Sequence, residues 1–512
     1  MELKNLTEQL LQLLSIETVD QLPGRLLQIA QGQERDSIFD AYLELVDNDL
    51  SIDYLQRIHQ FYAADRDEKK QDFTPATLAK LVAELTSADD ESIVYDCCAG
   101  SGALTIQKWC TNHSLQFICE ELDSRVIPLL LANLSIRNIG GLVINKDILT
   151  GEIVTTYRLV PGTKYADVTQ TDDIIIPMAD SAISNPPYNI KWQPPALDQR
   201  FAQCLPPANN ANYAFVLTAL SRLSNNGRAA IILPVGALTS KTERESRRYL
   251  VDSGLLECVI LLPDNMFEST SIPTCILVCS KSNSHRGQVL IIDAQEHCHT
   301  EIREQRGELH NTNRVYRKEV NILTGDDRQA ILSALADWQD VTGFCAVADA
   351  DDIANNDYLL SPHNYIEMQI GEYTHRPYAD IVEDLRRIAV EKSAVKITMN
   401  ETLARDNGFA ELAELVKSGT EGMEQINKII KGLGCEPIEA SNYVVLSKNK
   451  NEIKIENKSK ENISSIFSIL LPMWKQHLYY LNQCENEYLA ELRDALMPEL
   501  MSGNLDVSNF AI

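Results

Sequence analysis

Positive charge is scarce in this chain: 46 lysines and arginines stand against 73 aspartates and glutamates, a net charge of −27 over 512 residues. A protein that gripped a polyanion unaided would cluster its Lys and Arg. The densest group, Lys241-Thr242-Glu243-Arg244-Glu245-Ser246-Arg247-Arg248, is interleaved with glutamates and reads as a solvated helix face. Any reading of a nucleic-acid sequence is therefore expected to be delegated to a partner. Long apolar runs are missing too, which excludes a bilayer-spanning helix. The opening Met1-Glu2-Leu3-Lys4-Asn5-Leu6 has a helix-like pattern and no secretory character, so a cytoplasmic protein with no membrane partner is expected. No Gly-x-x-x-x-Gly-Lys-Ser/Thr loop occurs, which argues against an ATP-driven motor. The 12 cysteines form no paired Cys-x-x-Cys sets, so reduced thiols are expected. Cys275 and Cys279 lie on an apolar strand, and Cys298 beside His297 and His299 has too few partners for zinc. No metal is expected.

What is present is concentrated in short motifs. The apolar run Ala182-Ile183-Ser184 leads into Asn185-Pro186-Pro187-Tyr188, a tetrapeptide that chance would supply about once per thousand chains of this length. The Asn185 side-chain oxygen and the Pro186 carbonyl are both acceptors, and the Pro187 ring restricts how that carbonyl is presented. Two acceptors can take both hydrogens of one amino group. Tyr188 adds a flat face on which a planar base could stack, worth roughly 1–3 kcal/mol. The set suits an exocyclic amine on a ring; the plainer reading is a proline-rich turn anchored by a tyrosine.

A second constellation lies upstream. Ile93-Val94-Tyr95 reads as a buried strand, Asp96-Cys97-Cys98-Ala99-Gly100-Ser101-Gly102 as a glycine turn, and the segment from Ala103 to Trp109 as a helix. Such glycines let the backbone bend and a ligand approach closely. The next strand ends in Glu120-Glu121, about 20 residues on, where an acid commonly meets the ribose of a nucleoside cofactor. Asp147 closes a third strand, although an acid at a strand end is often only a helix cap. Together these clusters fall at the carboxyl ends of successive strands, where open α/β sheets bind ligands.

These residues resemble the SAM-dependent amino-methyltransferases of DNA, and more closely the modification subunit of type I restriction–modification systems, from about Asp72 to Tyr365. Phe73-Thr74-Pro75 is similar to the family's element at the methionine end of the cofactor. Asp96, Ala99, Gly100, Ser101 and Gly102 resemble its cofactor loop, with Cys97 where the family usually has proline. Glu121 resembles the ribose-binding acid, and Asp147 the acid near the adenine and amino groups of the cofactor. Asn212-Tyr213-Ala214-Phe215, Gly227 to Pro234, and Phe267 to Lys281 resemble the later helix and strands. Cofactor loop before Asn-Pro-Pro-Tyr is the family's order for adenine methylation.

The resemblance implies a Rossmann-like SAM-dependent methyltransferase α/β sheet. It implies catalysis by Asn185, Pro186 and Tyr188, substrate contacts from Asn185, Pro187 and Tyr188, and cofactor contacts from Phe73 onward to Asn185. S-adenosyl-L-methionine is the expected cofactor and a flipped-out adenine in DNA the expected substrate. A specificity (S) subunit would read the target, flanked by two modification subunits, and a restriction and translocation (R) subunit could join the complex. A methyltransferase for a protein glutamine amide or for RNA, and a non-catalytic assembly scaffold, are the alternatives from other classes.

The expected organisation is an N-terminal helical domain over 1–65, a catalytic domain over 66–375, a helical or mixed extension over 376–447, a linker or hairpin over 448–461 and a long helix in 462–512. Leu3, Leu6, Leu10, Leu13 and Leu14, then Tyr54, Leu55, Ile58 and Phe61, mark the first helices. The stretch between Asp147 and Asn185 is long and has no assigned role. Asp357 to Tyr365 resembles the final segment of the family's catalytic domain, and Tyr378 to Lys392 reads as a helix. The C-terminal helical tail carries Leu492-Arg493-Asp494-Ala495-Leu496-Met497-Pro498-Glu499-Leu500-Met501-Ser502-Gly503. It resembles the end of specificity subunits, which implies docking on such a partner; the alternative is an amphipathic helix folded on its own chain.

Overall fold

The computed structural model describes residues 3–62, 74–88, 91–195, 197–267, 272–306, 315–367, 376–406, 445–446, 453–454 and 481–496. The chain divides into two units, Met1–Gln369 and Ile370–Ile512.

The first unit opens with four helices, α1 (Leu3–Leu14), α2 (Leu22–Gln31), α3 (Arg35–Leu45) and α4 (Tyr54–Tyr62). Leu6, Leu10 and Leu14 of α1 are buried with Leu55 and Ile58 of α4, as their spacing requires. The sequence reading passes over α2 and α3. Pro23 and Gly24 at the start of α2 look like a turn, yet a proline in the first helical turn costs no hydrogen bond.

The rest of this unit is built on one large sheet. Its first strands are β1 (Ile93–Asp96), β2 (Gln116–Glu121), β3 (Gly141–Lys146), β4 (Ile153–Val160), β5 (Asp167–Gln170), β6 (Ala179–Ser184) and β7 (Leu223–Pro234). There follow β8 (Leu256–Leu261), β9 (Thr274–Ser280), β10 (Gln288–Asp293), a separate hairpin of β11 (His299–Arg306) and β12 (Val315–Ile322), and β13 (Cys345–Asp349). The order across the sheet is β13-β10-β8-β9-β7-β6-β1-β2-β3-β4-β5. Neighbours from β3 through β1 to β7 are parallel, and β9 lies antiparallel between β7 and β8. Every residue of β8 and β9 is buried, which fits strands covered on both faces. Successive residues of β7 enter opposite cores, Ala230 and Ile232 one, Ala229, Ile231 and Leu233 the other.

Three helices cover the face beside β1: α5 (Ala76–Leu85), α6 (Ala103–Trp109) and α7 (Ile127–Ile136). All ten residues of α7 are buried, because its outer side, Leu129, Ala132 and Ile136, packs into the N-terminal helical layer. The stretch without an assigned role supplies β4 and β5, an antiparallel extension of the sheet beyond β3. Tyr165, between those strands, meets Phe39 of α3 edge to face at 5.3 Å.

In the second unit the helix expected to end near Lys392 runs from Tyr378 to Asp406. The described part of the tail, 481–496, is helical and pairs with it. Arg376, just before that helix, donates to both carboxylate oxygens of Glu491 at 2.8 Å, and Lys392 pairs with Glu485. The partners descend along one helix as they ascend the other, which is the order of an antiparallel pair. Val445–Leu446 and Ile453–Lys454 form a short antiparallel pairing, the second strand lying inside the segment 448–461 expected to be a linker or hairpin. The remainder of the tail, with Pro498 and Ser502, lies outside the described residues.

Candidate active site

β1 lies between β2 and β6, where the chain order along the sheet reverses. Loops leaving the carboxyl ends of these strands diverge and open a crevice. The Asp96 carboxylate, fully buried at the end of β1, accepts from the Thr105 hydroxyl at 2.9 Å and from the Cys98 amide at 3.4 Å. Burial pushes its pKa up to about 7, against the pull of those two donors. Asp96 therefore braces the turn onto α6. Gly100 and Gly102 have φ of +55° and +103°, which a side chain would strain. A Cβ on Gly102 would also lie 3.1 Å from Leu130, whereas one on Gly100 would meet no protein atom within 4 Å. That side of Gly100 is open.

The Gly100 amide donates to Glu121 Oε2 and the Asp123 amide to Oε1, each at 2.8 Å. Each carboxylate oxygen keeps lone-pair capacity for a further hydroxyl. Burial raises the Glu121 carboxyl above its usual range, against the pull of the Asp123 and Gly100 amides. Asn145 holds the backbone beside it, donating to the carbonyls of Glu121 and Leu122 at 2.9 and 2.8 Å. The Leu122 side chain is 65% exposed at this strand end, an apolar surface next to an acid that sequence reading did not single out. Asp147, half-buried beyond β3, accepts from the amides of Leu149 and Thr150 at 2.8 and 3.3 Å and so shapes its own turn.

Asn185-Pro186-Pro187-Tyr188 leaves β6 next to the glycine turn. Cys97 Sγ donates to Ser184 Oγ at 3.2 Å across the two strands. Asn185 is held at both ends of its amide: Nδ2 donates to Thr74 Oγ1 at 3.0 Å, and Oδ1 accepts from the Tyr188 hydroxyl at 2.6 Å. Thr74, and Pro75 at the start of α5, thus stand beside the tetrapeptide, while Phe73 lies outside the described residues. The Tyr188 ring is only 8% exposed and belongs to the apolar cluster that includes Ile183, Met266 and Phe267. A base could stack on it only after that cover shifts. Asn189 adopts φ +56° and its amide donates to Asn212 Oδ1 at 3.0 Å. Asn212, the first residue of helix α8 (Asn212–Arg222), therefore clamps the end of the tetrapeptide.

The basic cluster departs from its expected role. Arg247 is 1% exposed and donates to the carbonyls of Tyr358, Ser240 and Ala237 at 2.6, 2.8 and 3.1 Å. Arg244 pairs with Glu245 and Asp357, and Arg248 with Glu245. The face is partly internal: the Arg247 guanidinium is turned inward onto three backbone carbonyls, two of which, Ala237 and Ser240, also accept from Tyr213 Oη and the Glu243 amide. Among the described residues no group of His, Cys, Asp and Glu is placed to hold a metal ion, and no helix is long and apolar enough to cross a membrane.

A mostly parallel sheet reversing at β1, one antiparallel strand between β7 and β8, a glycine turn after β1 and an acid at the end of β2 define a Rossmann-like α/β fold of the SAM-dependent methyltransferase type. The N-6 DNA Methylase family matches residues 47–372. The chain belongs to that family. It is similar to the HindI type I restriction enzyme methylase subunit of Haemophilus influenzae, with 27% identity over 69% of this chain and 76% of that protein. It also resembles the MjaVIII type I methylase subunit of Methanocaldococcus jannaschii, with 24% identity over 72% of this chain and 59% of that protein. A solved type I methyltransferase subunit from Streptococcus thermophilus aligns over 66% of this chain and 65% of its own, at 25% identity and a TM-score of 0.48.

Proposed function

We propose that the chain is the modification subunit of a type I restriction–modification system, moving a methyl group from S-adenosyl-L-methionine to the exocyclic N6 amine of an adenine in DNA. The observation that carries this reading is the doubly anchored Asn185 amide beside the glycine turn. When bound, S-adenosyl-L-methionine supplies a sulfonium-activated methyl. The open side of Gly100 and the remaining acceptor capacity of Glu121 fit its polar parts, and the exposed Leu122 fits an apolar face of its adenine. Thr74 and Pro75 would flank its methionine end, and Ala99, Ser101, Gly102 and Asp147 would shape the loops around it.

The adenine amine is a poor nucleophile because its lone pair is delocalised into the ring. Asn185 Oδ1 and the Pro186 carbonyl would accept its two hydrogens and localise that pair. Oδ1 gives one acceptor direction to Tyr188 and keeps another for the amine. The Thr74 and Tyr188 anchors keep the amide from rotating, so the acceptors stabilise the charge developing on nitrogen without reorganising. Pro187 restricts the presentation of the Pro186 carbonyl. The adenine must leave the duplex to reach this turn, at a cost of about a few kcal/mol.

The net charge of −27 favours delegation of target reading to a specificity subunit, in a complex of two modification subunits and one specificity subunit that a restriction and translocation subunit could join. The tail resembling such subunits is the proposed docking element. Expressing the chain with and without its specificity partner and mapping modified adenines by direct sequencing tests this. Methylation only in the pair supports the reading, and modification of glutamine or RNA instead would overturn it. Removing residues 463–512 should abolish co-purification while cofactor binding survives; an unchanged complex contradicts the docking role.

A further inference from the structure

The glycine turn is held from outside the methyltransferase sheet. Asp53, in the loop before α4, is 7% exposed, and its Oδ2 accepts from the Ser101 hydroxyl at 2.9 Å. Its Oδ1 accepts from the Gln56 amide at 2.8 Å, capping α4, and from Asn133 Nδ2 at 3.0 Å. Asn133 Nδ2, on α7, also donates to the Ser101 carbonyl at 2.9 Å. Further ties run the same way. Arg137 donates to the carbonyls of Leu50 and Ile52 at 2.8 and 3.0 Å, and Gln107 of α6 to that of Ser51 at 2.7 Å. Residues 50–53 are thus laid across α6 and the C-terminal end of α7. Ser101, 1% exposed, stands between the two left-handed glycines. One carboxylate joins a helix cap of the N-terminal layer to the centre of the cofactor turn.

We propose that Asp53 is a positioning residue for the cofactor turn, through which the N-terminal helical layer sets the affinity for S-adenosyl-L-methionine. Asp53, buried beneath the turn, acts through Ser101, and with it the conformation of Gly100 and Gly102. The proposal rests on the cofactor reading above. It implies that any partner that shifts the N-terminal layer also changes cofactor affinity.

The test is titration calorimetry of S-adenosyl-L-methionine into the full chain, with steady-state methyl transfer in the complex. Asp53→Ser keeps one oxygen to cap α4 and withdraws the one that meets Ser101. It should weaken cofactor binding roughly tenfold, the scale of one charge-assisted hydrogen bond, and raise the cofactor KM with kcat held within about twofold. Asp53→Asn, whose amide can donate to Ser101 Oγ, should recover most of the affinity. Ser101→Ala breaks the same link from the other end without touching the cap, and the double variant Asp53→Ser/Ser101→Ala should bind no more weakly than the worse single variant. Wild-type affinity in Asp53→Ser, or additive losses in the double variant, would overturn the proposal. A wild-type chain that binds no S-adenosyl-L-methionine would overturn the cofactor reading as well.

Discussion

Replacing Tyr188 with Phe removes one atom from the proposed catalytic turn and isolates one interaction. The hydroxyl lies 2.6 Å from Asn185 Oδ1 and is one of two groups fixing that amide, the other being Thr74 at 3.0 Å from Nδ2. A neutral hydrogen bond of this kind contributes about 0.5–1.5 kcal/mol. If it serves to aim the acceptor, its loss should lower the rate of methyl transfer roughly two- to twelvefold. The remaining Thr74 anchor prevents a larger loss. Deleting an oxygen leaves no methyl-sized cavity, so folding stability should change by less than about 1.5 kcal/mol. Single-turnover transfer to target DNA at saturating cofactor measures the effect without contributions from product release. A rate within twofold of wild type would refute the aiming role. A loss beyond roughly a thousandfold in a folded protein would refute it in the other direction, since it would make the hydroxyl a reacting group. Tyr188→Ala is a poorer probe: the ring is 8% exposed in the core, and truncating a buried aromatic costs about 3–5 kcal/mol in stability.

Asp96→Asn should alter the pH dependence of stability. With its folded pKa raised to about 7 from 3.8, Asp96 binds its proton more tightly in the folded state, so its contribution to stability falls as pH rises from about 4 through 7. Urea unfolding should find the variant's advantage over wild type larger at pH 8 than at pH 5 by about 3 kcal/mol; an equal difference at both pH values contradicts the assignment. Arg247→Met should lower stability by about 1–3 kcal/mol, because the buried Tyr358 carbonyl loses its donor, while DNA affinity of the assembled complex stays at the wild-type value. Reduced DNA affinity with unchanged stability would return Arg247 to an electrostatic role.

The parts legible in the sequence are those whose chemistry is local. A buried strand, two glycines in left-handed conformations and a following helix can be read from neighbouring residues, because the turn needs those residues whatever surrounds it. The outer strands β4 and β5 are not legible: exposed Ile153, Val154 and Val160 of β4 give no clean alternation, since this end of the sheet is only partly covered. Long-range polar ties were hidden for another reason. Nothing near Asp53 announces that it reaches Ser101, 48 positions away, and nothing near Asn189 announces Asn212. The burial of Arg247 and the covered ring of Tyr188 are tertiary outcomes of the same kind. A charge run and an aromatic beside two prolines look solvent-facing until the fold supplies what covers them.

The central claim, that Asn185 and Pro186 hold an adenine amine for methylation, is tested most directly by nucleoside mass spectrometry. The DNA would be treated with radiolabelled S-adenosyl-L-methionine and the chain assembled with its specificity partner. The account predicts label in N6-methyladenine with the wild-type chain, and a loss of at least a hundredfold in Asn185→Ala while that variant still binds the cofactor. Label in another nucleoside, or undiminished N6-methyladenine from Asn185→Ala, would contradict it.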